Sequence, residues 1–142
     1  MRYLLDTNVI SELVSKQPNQ SVLDWVKDTD ENLLYLSVIT IGEIKKGIEK
    51  LPASARKDQL VDWLQDDLLQ RFRDRLVSID IKVMLQWGEI AAHLEMIGRP
   101  LPAIDSLIAA SVSQGDFVLV TRNTSDFMAA GIPALNPWEH NS

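Results

Sequence analysis

The sequence predicts an α/β fold in which a mainly parallel sheet is covered by helices on both sides. Three observations carry the prediction. Short apolar runs alternate along the chain with stretches of helical periodicity. Each run is apolar at consecutive positions, the pattern of a strand buried on both faces. The length, 142 residues, suits one domain that buries roughly 68–70% of the surface its unfolded chain exposes. A single domain over residues 1–142 accounts for the whole, with no internal repeat, low-complexity segment or linker.

The elements follow in order. Tyr3-Leu4-Leu5 is the first apolar run, and a helix is expected from Asn8 to about Ser15. Ser21 is placed to cap a second helix with Val22, Trp25 and Val26 on one face. Leu33 to Val38 reads as a buried strand, and Thr40 to about Leu51 as helix. Pro52 marks an early position of the next helix, where Leu60, Trp63, Leu64, Leu68 and Phe72 recur at helical spacing. Leu76 to Ile79 is a third strand. Val83, Trp87, Ile90, Leu94 and Ile97 then form an amphipathic stripe, ended by Gly98 and Pro100. A last helix runs from about Ala103 to Gln114 and stops at Gly115, and Phe117 to Val120 is the most apolar strand of all. Gln17–Gln20 and the last few residues are expected to be loose.

Composition narrows the function. A hydrophobic fraction of 46% with 24% charged residues is ordinary globular usage, which excludes a disordered or fibrous chain. The absence of Cys removes disulfides and thiolate metal sites and suits a reducing compartment. MRYLLDTNVI reaches Asp6 too soon for a signal peptide, and no run approaches the roughly 18 apolar residues of a membrane helix. The expectation is an acidic, cytoplasmic protein. A formal charge of −6 argues against holding nucleic acid by bulk positive charge, though a metal-dependent nuclease needs its own carboxylates.

Ligands of parallel α/β sheets bind beyond the carboxyl ends of the strands. Asp6 directly follows the first strand, Glu43 lies in the first turn after the second, and Asp105 opens the last helix. Asn123 and Asp126 follow the fourth strand. Each has a structural reading taken singly. Thr40-x-x-Glu43 is a capping box. Asp105 and Asp126 suit the positive end of a helix dipole, worth roughly 0.3–1 kcal/mol. Asp6, straight after an apolar strand, reads as readily as a site residue as it does as a turn or cap. Taken together they say more. Two unit charges about 4 Å apart repel by roughly 4 kcal/mol at an effective dielectric of 20. Converging carboxylates therefore need a cation or shared protons. Oxygen donors without Cys or a neighbouring His point to Mg2+ or Mn2+, ions that bind phosphate oxygens and support phosphodiester hydrolysis.

At these residues the sequence resembles a known family. Leu4-Leu-Asp6-Thr-Asn8-Val-Ile-Ser-Glu12, Ser37-Val-Ile-Thr-Ile-Gly-Glu43-Ile, Asp105-Ser-Leu-Ile-Ala-Ala and Val120-Thr121-Arg-Asn123-Thr-Ser-Asp126-Phe closely resemble PIN-domain ribonucleases. Within them the chain is most similar to the VapC/FitB-type toxins of bacterial toxin–antitoxin pairs, a subgroup that the closing Leu135-Asn-Pro-Trp138 also fits. The resemblance implies a PIN-like α/β/α sandwich on a mainly parallel, twisted sheet of about four to five strands. It implies Mg2+- or Mn2+-dependent cleavage of single-stranded RNA, tRNA among the targets. It places Asp6, Glu43 and Asp105 on the family's first three acidic positions, with Asn8 and Thr121 lining the same pocket. Many members carry Asp where this chain has Asn123, so Asn123 and Asp126 share the fourth position. A homodimer and a cognate VapB/FitA-like antitoxin that blocks the pocket are implied as partners.

Cations near the acids are candidate RNA phosphate contacts: Lys45, Arg122 and Arg99, with Lys46 read as solvated. The apolar face from Leu60 to Phe72 is either an exposed groove or core. Asp58, Asp62, Asp66 and Asp67 read as a solvated helix face. Trp25, Trp63, Trp87 and Trp138 read as core or interface anchors rather than base-stacking platforms. His93 reads as exposed and His140 as tail, and neither is the expected general base. Two rivals remain. A PIN-like module that binds RNA or a partner without cutting is kept open by Asn123. An aspartyl-phosphate phosphotransferase is suggested by Asp6 alone, since Asn8 stands where a second Asp is usual.

Overall fold

A computed structural model describes residues 1–140. Among these residues five strands are interspersed with seven α-helices. β1 (Arg2–Leu5) leads into α1 (Thr7–Leu13) and α2 (Gln20–Asp28), and β2 (Leu34–Ser37) into α3 (Val38–Glu49), α4 (Ala55–Asp62) and α5 (Leu69–Arg71). β3 (Leu76–Val77) precedes α6 (Ile81–Met96) and α7 (Ala103–Gly115), and β4 (Phe117–Val120) precedes β5 (Ala134–Leu135). The strands form one sheet in the order β3-β2-β1-β4-β5, with every pairing parallel.

The consecutive apolar residues are explained by two cores, one on each face of the sheet. Leu5 and Val120 point into a core with Val9, Val22, Ile44, Leu68 and Phe72, contributed by the helices between β1 and β3. Leu4 and Leu119 point the other way, against Ile108, Val112 and Phe127. α6 closes that side through Val83, Ile90 and Leu94. The result is the α/β/α sandwich expected from the resemblance. The apolar face from Leu60 to Phe72 divides: Leu64, Leu68 and Phe72 are buried, whereas Leu60 and Trp63 border an open slot.

Element boundaries shift where a different side chain captures the orphan N–H groups of a helix start. Asn19, not Ser21, caps α2 by accepting from the Val22 N–H. Ser54 caps α4, so Pro52 lies outside it. Ser37 caps α3 three residues earlier than Thr40 would. The helical spacing between Leu60 and Phe72 is not uniform, because a π-helical turn over Trp63–Leu68 joins α4 to α5. Gln17–Asn19 lie outside helix, but Gln20 begins α2. The expected loose tail falls partly on residues 141–142, outside the described residues. α7 ends where Asp116 takes a left-handed φ of 56°, and Gly115 leaves room for the Phe117 ring, which a Cβ at that position would meet head-on.

β2 and β3 lie to one side of β1, and β4 and β5 to the other. Where the connections reverse direction, between β1 and β4, the strand ends open a crevice.

Candidate active site

The ladders on both sides of β4 continue past the strand ends. The Asp6 N–H donates to the Val120 carbonyl (2.9 Å), and the Thr121 N–H donates to the Leu135 carbonyl (2.9 Å). This brings the side chains of Asp6 and Thr121 together at the reversal point. Thr121 Oγ1 donates to Asp6 Oδ2 (2.8 Å), and the Thr7 N–H donates to Asp6 Oδ1 (2.9 Å). Asn8 Nδ2 (3.2 Å) and the Asn123 N–H (3.1 Å) both donate to Thr121 Oγ1. Asp6 is also the N-cap of α1, so the cap and the pocket residue are the same group.

Glu43 reaches the same place from α3. The Thr7 hydroxyl donates to Glu43 Oε1 (2.5 Å) and lies 3.2 Å from the buried Thr40 hydroxyl. The sequence pattern Thr40-x-x-Glu43 is therefore not a capping box. Thr40 is inside the helix, and Glu43 turns across to α1. Asp105, in the first turn of α7, faces both. Asp6, Glu43, Asp105 and Asn123 line one cleft of about 490 Å³, together with Thr7, Asn8, Glu12, Arg122 and Trp138. Asp126 stands beyond Asp105, in an adjoining cleft that it shares with Arg99.

Electrostatics register the crowding. Burial pushes the Asp6 carboxyl above its ordinary value, opposed by the Thr121 and Thr7 hydrogen bonds and assisted by the charge on Glu43. Asp105 is raised first by burial and then by the charges on Asp6, Glu43 and Asp126. Among the described residues, no three acidic or histidine side chains lie close enough to hold one ion between them. The donor set still fits a hard, hydrated cation. All the donors are oxygens, the cleft has room for water, and Mg2+ commonly uses one or two carboxylates while keeping several waters.

A sequence profile of the PIN domain matches residues 3–131. The chain belongs to the PIN-domain family. This PIN chain is 40% identical over 136 residues to the plasmid stability protein StbB of Pseudomonas syringae, covering 96% of the chain and 98% of that protein. It is 35% identical to the VapC ribonuclease Y4jK of Sinorhizobium fredii, over 96% and 97% of the two chains. The solved structure of FitAcB from Neisseria gonorrhoeae superimposes with a TM-score of 0.92 at 34% identity, covering 96% of this chain and 99% of that one.

The PIN chain treats its candidate cations unequally. Lys45 is not at the cleft: its ammonium pairs with Glu49 Oε1 (2.7 Å), and its stem borders an apolar hollow with Val61 and Leu64. Lys46, one residue on, lies beside Glu43 in a hollow with Lys50 and Ile104. The 100° step per residue of a helix turns Lys46, rather than Lys45, toward Glu43. Asp58, Asp62, Asp66 and Asp67 are exposed. Trp25 meets Tyr3 edge-on (5.1 Å), and Trp87 Nε1 donates to Ser106 Oγ (2.8 Å), both packing roles. His93 is exposed, and His140 Nε2 lies 3.3 Å from Asp28 Oδ2. The sequence reading did not single out Thr7, whose hydroxyl joins the two acidic elements. Thr at the N-terminus of α1 carries no spacing signal for that bond.

Proposed function

We propose that this PIN chain is a Mg2+- or Mn2+-dependent endoribonuclease toxin, acting in the cytoplasm on single-stranded or loop RNA, tRNA among its substrates. Within this reading residues 1–142 act as one PIN domain. What carries it is the shared cleft of Asp6, Glu43, Asp105 and Asn123 at the β1–β4 reversal, together with a 35% identical relative that is named a ribonuclease. Among the described residues no helix is long and apolar enough to cross a membrane.

Asp6 and Asp105 are the groups we assign to hold the ion, with Glu43 and Asn123 completing its surroundings. A divalent ion bound there would lower the pKa of a water and offset charge on the phosphate. The protein's own part is positional. Thr121 and the Thr7 N–H fix both oxygens of Asp6, so that carboxylate needs no rearrangement. Glu43, oriented by Thr7, can order a water through its second oxygen. Asn123 contributes an oxygen without charge, and Asp126 acts on Asp105 from the adjoining cleft.

A cognate antitoxin of the VapB/FitA kind is the partner we assign, supported by a 35% identical relative named toxin FitB and by a 33% identical solved structure of FitAB bound to a DNA fragment. An apolar slot of about 240 Å³ opens beside Glu43, bordered by Ile44, Ile48, Leu60 and Trp63, and gives such a partner a seat. The active unit we expect is a homodimer.

The test is cleavage of total and small structured RNA by antitoxin-free protein, with Mg2+ or Mn2+ and with EDTA, beside Asp6→Ala and Asp105→Ala. Cleavage lost in EDTA and in both variants is expected. A folded protein that cuts no RNA would favour the non-cleaving binding module.

A further inference from the structure

The acidic cleft has one cation in its wall, and that cation neutralises none of the acids. Arg122 lines the cleft with Asp6, Glu12, Glu43 and Asp105, yet among the described residues its guanidinium has no hydrogen bond or ion pair. Arg2, Arg56 and Arg75 direct theirs to backbone carbonyls, and Arg71 to Glu31. Arg122 instead lies over the indole of Trp138, 5.2 Å from the ring centroid. The arrangement is built. Asn136 Oδ1 accepts from the Trp138 N–H (2.9 Å), and Asn136 Nδ2 donates to the Arg122 carbonyl (3.4 Å). The Arg122 N–H donates to Asn8 Oδ1 (3.3 Å), tying the same residue to the pocket floor. Trp138 is half-buried against the core, so its ring is a fixed support.

A guanidinium in this setting has two uses for a nucleic acid. Its charge draws a phosphate into a cleft that otherwise repels it. Its flat outer face can stack on an unpaired base, as Arg planes do in single-strand recognition, while the indole backs the inner face. We propose that Arg122, supported by Trp138, forms a nucleotide subsite that takes the unpaired base next to the scissile phosphate. The inference rests on the nuclease reading for its substrate but concerns base recognition, which the acidic residues do not provide. Arg122 contacts the RNA, and Trp138 is a positioning residue that acts through it. The subsite ranks single-stranded above duplex RNA, because a paired base has no free face to offer.

The test measures binding apart from cutting. Anisotropy titrations in Mg2+ use full-length protein carrying Asp105→Asn, with a labelled single-stranded RNA of about eight nucleotides and a chain of abasic ribose phosphates of equal length. The RNA is expected to bind about tenfold tighter than the abasic chain, the scale of one stacked base. Arg122→Lys should keep abasic affinity within about twofold, since the charge remains, and lose the preference for bases. Trp138→Leu should lose it too, and Trp138→Phe should restore most of it. An unchanged preference in both Arg122→Lys and Trp138→Leu, or no preference in the parent, overturns the subsite. Cleavage of the same RNA by the wild-type chain is followed in parallel. A base preference without cleavage counts against the nuclease reading alone, and cleavage without a base preference counts against the subsite alone.

Discussion

The Thr121 hydroxyl donates to Asp6 Oδ2 at 2.8 Å, so the carboxylate that ends β1 is held by the residue that follows β4. Thr121 is fully buried and accepts at the same oxygen from Asn8 and from the Asn123 N–H. One hydroxyl thereby ties together the ends of two neighbouring strands and orients a charge above them.

Replacing Thr121 by Val keeps the shape and removes all three bonds. Two donors lose their acceptor, which is expected to cost about 1–3 kcal/mol of stability. RNA cleavage should fall as Asp6 loses its orientation, and Thr121→Ser should retain most of both. Urea midpoints and initial rates on the same preparations check this. A Val variant with wild-type values in both would mean the hydroxyl does not hold Asp6.

Asp105→Asn should separate stability from activity. Burial and then Asp6, Glu43 and Asp126 raise the Asp105 carboxyl above its ordinary 3.8, so the native state binds that proton more tightly than the unfolded chain. The stabilisation from protonated Asp105 is full below 3.8 and is lost as pH rises through the raised native value. At neutral pH the Asn variant should therefore melt higher, by roughly 2–4 °C, and the gap should close near pH 3. Its cleavage should fall on the order of a hundredfold or more. Thermal melts across pH decide the matter, and a variant that melts lower at pH 7 would contradict the crowding of charge.

Metal should act on the same charges from outside. An ion that binds only the native state stabilises it by mass action, about 2.7 kcal/mol at a hundredfold excess over its Kd. Millimolar MgCl2 or MnCl2 should raise the melting temperature of the wild type above its value in EDTA, and leave Asp6→Asn and Asp105→Asn nearly unmoved. Equal shifts in all three proteins would place the ion elsewhere.

Lys45→Gln and Lys46→Gln test which face of α3 meets RNA. Lys45 is paired with Glu49 and turned from the cleft, so its loss should leave RNA affinity within about twofold of wild type. Lys46 stands beside Glu43. Its loss should weaken binding whatever the sequence and lower the salt slope by about one. Affinities measured at several salt concentrations give both quantities, and the reverse order would reinstate the sequence-based preference for Lys45.

Much of the fold was legible because its signals are local. Phe117–Val120 is bounded by a helix stop and a polar turn, and the strand falls on those residues. α7 was readable from Ala103 to its glycine stop. What was not legible depends on competition between neighbours or on partners distant in sequence. Ser37 and Asn19 outcompeted Thr40 and Ser21 as caps, a choice set by backbone φ and ψ rather than residue type. The π-helical turn at Trp63–Leu68 keeps the residue types of a plain helix, so periodicity alone passed over it. β5 is two residues long and owes its existence to pairing with β4. In the cleft the acidic residues were visible as strand-end motifs. The Thr7–Glu43 bond joins positions 36 apart and left no trace in spacing.

The central place of β1 bears on how the protein comes into being. Asp6 lies 115 residues ahead of the hydroxyl that orients it, which directly follows the neighbouring strand at 117–120. A growing chain held on the ribosome with anything less than most of its length exposed has β1 without β4, Asp6 without Thr121, and no cleft. The site is therefore assembled only after β4 has left the ribosome and docked beside β1.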